Sequence, residues 1–405
     1  MTRVFGLPFQ DRAGHPLAGA SVLQVIPGLE ANPTARAAID IAAALGAAGA
    51  RALIACAGGR MTGELQAKGG VFVPFPSRTK NPFAMALNTR RLARLIAAEN
   101  IDVVHVRSRA LAWVAYGATR MTKTPLVTTF HAGCQGFNPI TMRYNSVLAR
   151  GDLVLADSGF TAALAGKLHA PAAGKIRVVH QSLDCRIFAP DTVTPARVQA
   201  VRRQWKVAPH EQIVLVAAPS RRASGYKNLI AAVRLLARSG LKGVKVILAS
   251  GCGEGARDRD IDRAIAREEL QGIMYRTGPC DLPAAYLAAS LVVVVPATEA
   301  AAFSDAAAIQ AQAMGTPVIA ANTGAASEIV LAPPLAAESS RTGFLVKPGD
   351  AAALAVAIAH ALNLGASASG NLSCRARKHV ETHFSTEHVC AQTLEAYAAL
   401  RRGSP

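Results

Sequence analysis

From Ser21 to Lys347 the chain alternates strand-sized apolar runs with longer stretches of helical periodicity, and few architectures accept that order. The runs are SVLQVI at 21, RALIAC at 51, VFVPF at 71, DVVHV at 102, LVTTF at 126, LVLA at 153 and IRVV at 176. The series resumes with IVLVAA at 213, VKVILAS at 244, GIMYRTG at 272, LVVVV at 291, PVIAA at 317 and GFLVK at 343. Helical segments such as Thr34–Ala48, Asn81–Glu99 and Ala110–Thr122 fill the gaps. Strands that read as unbroken apolar runs have no wet face, which is the pattern of parallel sheets covered by helices on both sides. An α/β fold of Rossmann-like doubly wound sheets follows. A chain of 405 residues exceeds one compact core, so two domains of about 200 residues are expected. Phe188, Ala189 and Pro190, followed by the polar segment Pro195–Val207, mark the boundary near Pro190. The division is then a loose tail (1–20), a first domain (21–190), a second (191–370) and C-terminal helices without strands (371–405).

Composition removes several alternatives. With 51% hydrophobic and 17% charged residues the chain is globular, and the alanine-rich stretch from Ala35 to Ala57 is broken by Arg36, Asp40 and Arg51. No membrane span is expected, and the N-terminus lacks the apolar core of a leader, so a cytoplasmic protein is expected. Seven cysteines without a CxxC spacing indicate neither a zinc site nor a disulfide framework. The net charge of +18 is uneven: residues 1–190 hold 21 Lys/Arg against 9 Asp/Glu, the remainder 23 against 17. The first half therefore faces something anionic, either phosphorylated small molecules or the inner leaflet of a membrane. Nucleic acid is disfavoured, because only 5% of residues are aromatic and no basic patch is interleaved with stacking side chains.

Ligands of doubly wound sheets collect at the carboxyl ends of the strands, so those loops hold the candidates. After the first strand come Gly28, Asn32 and Pro33, a turn toward a ligand or an ordinary one capped by Thr34. His105, Arg107 and Arg109 follow next, suited to an anion or forming a solvated edge. His131 ends a strand beside Gly133 and Gly136. In the second half Arg221 and Lys227 follow one strand, and Ser250 and Gly251 end another. The segment from Leu291 to Val330 then reads strand, loop, helix, glycine turn, strand and glycine turn. Asp305 opens its helix, where free N–H groups can hold an anion, and Gly324 ends its second strand.

That segment resembles the donor-binding region of the retaining family-four glycosyltransferases, which have the GT-B fold of two Rossmann-like domains facing a cleft. The resemblance implies that the first domain (21–190) is the acceptor side, that the second (191–370) binds the nucleotide sugar, and that the C-terminal helices (371–405) cross back to the first domain. Family members read Glu-Gly-Phe-Gly, four residues, Glu-Ala-Met-Ala-x-Gly. Phe303, Ala311, Ala313 and Gly315 fit, whereas Ala301 and Gln310 stand where the glutamates are expected. Thr128-Thr129-Phe130-His131, the run Arg143 to Ser146, the pair Gly151-Asp152 and His105-Val106-Arg107-Ser108-Arg109-Ala110 resemble a lipopolysaccharide-type subgroup. The resemblance implies sugar transfer, with retention, from a nucleoside diphosphate to a surface-polysaccharide, lipopolysaccharide or lipid-linked acceptor. Arg221 and Lys227 would hold the diphosphate and His131 the donor sugar. Gly28, Asn32, Ser250, Gly251, Phe303, Ser304, Asp305, Gln310 and Glu328 would line the donor, with Gln310 at the ribose. His105, Arg107 and Arg109 would face the acceptor. No cofactor and no metal is implied, and the enzyme would sit on the inner face of the membrane. The replaced glutamates leave a second reading open: a catalytically inactive GT-B homologue acting as a nucleotide-binding or partner subunit.

Overall fold

The computed structural model describes residues 14–79, 81–131, 138–169, 172, 174–217, 224–249, 256–294 and 305–402. The chain divides into two compact units, one of residues 1–180 with 386–405 and one of residues 181–385. The first holds β1 (Ser21–Val25), β2 (Arg51–Cys56), β3 (Val71–Pro74), β4 (Val103–Val106), β5 (Leu126–Phe130), β6 (Leu153–Ala156) and β7 (Ile176–Val178). They form one parallel sheet in the order β3-β2-β1-β4-β5-β6-β7. The second unit holds β8 (Gln212–Ala217), β9 (Val244–Ala249), β10 (Met274–Thr277), β11 (Leu291–Val294), β12 (Val318–Ala321) and β13 (Phe344–Val346). Their order is β10-β9-β8-β11-β12-β13, again all parallel. Each strand falls on an apolar run expected from the sequence.

Both sheets are covered on both faces. In β8, Ile213 and Leu215 enter one core cluster while Val214 and Val216 enter another, as the two-residue side-chain period requires. In β1, Val22 and Leu23 are divided in the same way. Strand order reverses between β1 and β4 and between β8 and β11, so each sheet has a switch point where the connections diverge and leave a crevice at the carboxyl ends.

The chain changes unit at His180–Gln181, ahead of Pro190. Leu183 already belongs to the second unit: its N–H donates to the Phe384 carbonyl at 2.7 Å, and its side chain joins a core with Val193, Val201 and Trp205. The helix Ala366–His383 also stays there, its Leu372 and Val380 buried in that unit's cores. Only the last helix, Thr386–Arg402, belongs to the first unit, where Cys390, Leu394 and Tyr397 are buried with Ile39 and Leu45.

His105 joins that helix to the sheet. It lies on β4, fully buried, with Nδ1 2.6 Å from the Tyr397 hydroxyl and Nε2 2.8 Å from Thr129 Oγ1. Burial holds the ring well below its ordinary pKa, helped by the positive Arg107 and by His131, so it is neutral, with one nitrogen donating and one accepting. The expectation that His105 faces an acceptor is corrected: alternation within an all-buried strand turns it inward. Replacing Tyr397 by Phe strands a buried ring nitrogen and should cost the first unit about 1–3 kcal/mol in urea unfolding. Because the folded pKa lies below the unfolded one near 6.5, this part of the stability is present above pH 6.5 and is lost as pH falls toward the folded value. Wild-type unfolding midpoints measured between pH 8 and pH 5 should show that decline.

Candidate active site

Four neighbouring strands of the first sheet end in polar side chains at the carboxyl rim. Arg107 follows β4, His131 follows β5, Asp157 follows β6 and His180 comes two residues beyond β7. His131 Nδ1 lies 3.0 Å from Asp157 Oδ2, with side-chain exposures of 39% and 10%. Asp157 is fixed from both sides. Ser158 caps the helix Gly159–Leu168 by accepting from the Thr161 N–H at 3.1 Å, and His180 Nδ1 donates to the Asp157 carbonyl at 3.2 Å. The contact between His131 and Asp157 orients the imidazole ring at the rim. The other carboxylate oxygen of Asp157, Oδ1, is buried with no hydrogen-bond partner among the described residues. His131 is the residue the sequence singled out. Asp157 and His180 it missed, although a charged residue directly after the buried run LVLA was visible.

The first loop holds Asn32 and Gly28. Asn32 Oδ1 accepts from the Ala35 N–H at 3.0 Å and caps the helix Pro33–Ala47, so Asn32 and not Thr34 is the cap. A Cβ on Gly28 would lie 3.0 Å from Arg78 Nη2 and 3.1 Å from the Gly58 carbonyl, so this glycine admits a neighbouring loop. Gly59 is required more strictly: at φ +154° its Cβ would stand 2.4 Å from the Leu29 backbone. Asp152 Oδ2 accepts from the Leu126 N–H and Oδ1 from Arg120, each at 2.8 Å, so the Gly151-Asp152 pair fixes the start of β5. Arg109, exposed at the first turn of the helix Arg109–Thr122, donates to Asn145 Oδ1 at 3.3 Å.

In the second unit Arg221, Ser250, Gly251, Phe303 and Ser304, like Ala301, lie outside the described residues. Asp305 is the first residue of the helix Asp305–Ala313. Lys227 is exposed on the helix Ser224–Arg238 and lines an open groove with Arg234, Arg238 and Arg267. Glu328 is half-buried in the short helix Ala326–Ile329, just after Gly324 at φ +58°. Gln310 Oε1 accepts from the Tyr286 hydroxyl at 3.0 Å, and burial pushes that phenol up so that it stays a donor. The amide hydrogens of Gln310 point to no described acceptor. Among the described residues no group of three His, Cys, Asp or Glu side chains could hold a metal ion, and no single helix is long and apolar enough to cross a membrane.

Residues 34–186 match the family model described as Glycosyltransferase Family 4, and residues 210–363 match Glycosyl transferases group 1. A glycosyltransferase from Rickettsia africae superimposes with a TM-score of 0.82 at 26% identity, covering 95% of this chain and all of that one. The fold is GT-B. Anabaena HepE, solved in complex with UDP and glucose, shares the GT-B architecture with a TM-score of 0.73 at 20% identity, over 94% of this chain and 100% of that one. D-inositol 3-phosphate glycosyltransferase of Mycobacterium tuberculosis is 28% identical over 315 residues. That match takes in 73% of this chain and 61% of the relative, so the GT-B chain described here spans under two thirds of the curated protein it resembles.

Replacing Gln310 by Leu removes the acceptor of the buried Tyr286 hydroxyl and should lower stability by about 1–3 kcal/mol in urea unfolding. Gln310→Glu keeps an acceptor and should remain within about 1 kcal/mol of wild type.

Proposed function

We propose that the protein transfers a sugar, with retention, from a nucleoside-diphosphate donor to a lipopolysaccharide, surface-polysaccharide or lipid-linked acceptor. The observation that carries this reading is the Asp157-oriented His131 at the carboxyl rim of a GT-B sheet. Glycosyltransferase family domains in both halves and the UDP- and glucose-bound HepE support it. The bond between the anomeric carbon and the diphosphate oxygen breaks as the acceptor oxygen bonds on the same face. The acceptor proton passes to the departing phosphate, so no separate base is needed. Arg221 and Lys227 stabilise the charge that grows on that phosphate, a role worth several kcal/mol in a dry site. Ser250, Gly251, Phe303, Ser304, Asp305 and Glu328 line the donor, and the free amide hydrogens of Gln310 meet the ribose. His131 Nε2 accepts a hydroxyl of the donor sugar, and Asp157 positions the ring. Side-chain cations carry the electrostatic work, with no metal or other cofactor in the scheme. The basic first half faces the anionic membrane surface where lipid-linked acceptors lie.

Calorimetry with UDP and GDP, followed by turnover of a donor panel, tests the reading. One nucleotide should bind, and His131→Ala should slow transfer about 100-fold while leaving nucleotide binding unchanged. Asp157→Asn should slow it about tenfold, with partial recovery in Asp157→Glu. Absence of heat with either nucleotide, together with absence of turnover, overturns the assignment. Binding without turnover of any donor favours the inactive partner subunit.

A further inference from the structure

Arg107 stands out because its charge has no counterpart among the described residues. It sits at the carboxyl end of β4, one strand from His131, only partly exposed, and its Nε is buried without a hydrogen-bond partner. Among the described residues no carboxylate pairs with its guanidinium. Arginines far more open to water do find one: Arg51 meets Glu99 at 2.6 Å, Arg197 meets Asp281 at 2.7 Å and Arg120 meets Asp152 at 2.8 Å.

The ionisable groups around Arg107 cannot supply the missing charge. His105 is neutral with both nitrogens engaged. The Tyr397 hydroxyl is held at His105 and pushed far up by burial, and the Cys390 thiol is pushed up to about 12, so both stay protonated at neutral pH. Desolvation lowers the pKa of Arg107 itself, yet a guanidinium remains charged in a protein. Leaving such a charge partly buried and unpaired is costly, and folded proteins rarely do so without a use for it.

We propose that Arg107 anchors an oxyanion subsite on the first unit, taking a phosphate or carboxylate group of the substrate bound at His131. The planar fork of Arg107 suits either group, since it offers two parallel N–H donors to two oxygens. The anion belongs either to the donor's diphosphate or to an acidic group on the acceptor. This subsite rests on the transferase reading for the identity of its substrate, but not for the existence of anion binding.

The test compares wild type with Arg107→Met, which keeps the length of the side chain and removes the charge, and with Arg177→Met, which removes a charge from the exposed part of β7. Without ligand, Arg107→Met should melt at or above the wild-type temperature, because an unpaired charge has gone. Inorganic phosphate should raise the melting temperature of wild type and Arg177→Met, and its affinity should fall at least tenfold in Arg107→Met. If UDP affinity falls in parallel, the subsite takes the donor's diphosphate; if UDP binding is unchanged, it takes the acceptor's acid. The proposal is overturned if phosphate acts equally on wild type and Arg107→Met, or if Arg107→Met melts several degrees below wild type, which would make the guanidinium structural. UDP binding and sugar transfer persisting alongside either result would leave the transferase reading intact.

Discussion

Parallel strands leave no face for water, so each of these two sheets has to be sealed by helices on both sides. The second unit meets that need with a continuous piece of chain. The first does not: its sheet is closed only when the last helix, Thr386–Arg402, returns from the far end of the sequence to bury Tyr397, Leu394 and Cys390. His105 then ties the sheet to this helix through Tyr397 and to the neighbouring strand through Thr129, both inside the core, where a lost partner is expensive.

The same parallel geometry concentrates chemistry at one rim. All carboxyl ends of a sheet point one way, so residues distant in sequence are brought into a row by strand order alone. Arg107, His131, Asp157 and His180 are such a row on β4 to β7. Asp157 gives His131 an orientation, while Arg107, one strand away, has no carboxylate partner among the described residues. An oriented imidazole and a guanidinium thus stand on adjacent strands of one rim.

Legibility in the sequence followed the range of the interactions involved. The strands were readable because an all-buried parallel strand is an unbroken apolar run, and the two-unit division was readable from length. The unit boundary was misplaced because Leu183 is fixed by Phe384 and Ser385, some two hundred residues on, and no local pattern encodes that. His105 was misread for the same reason: its partners lie 24 and 292 residues away. The cap of the first helix was placed at Thr34, two residues past Asn32, because several polar residues in a rim loop offer a cap and only the backbone geometry selects one. Gln310 was read as a polar donor contact, and its bond from Tyr286 shows what holds the amide oxygen. Arg107 was noticed as a cation, but its lack of a counter-charge among the described residues emerges only from the folded arrangement.

The late return of the final helix also bears on how the protein is made. Synthesis runs from the N-terminus, and domains usually close in the order they emerge. Here residues 181–385 form a complete unit before the residues that seal the first have been polymerised. On the ribosome the earlier unit must wait, its sheet open on one side and His105 without its tyrosine, until residues 386–402 have been made.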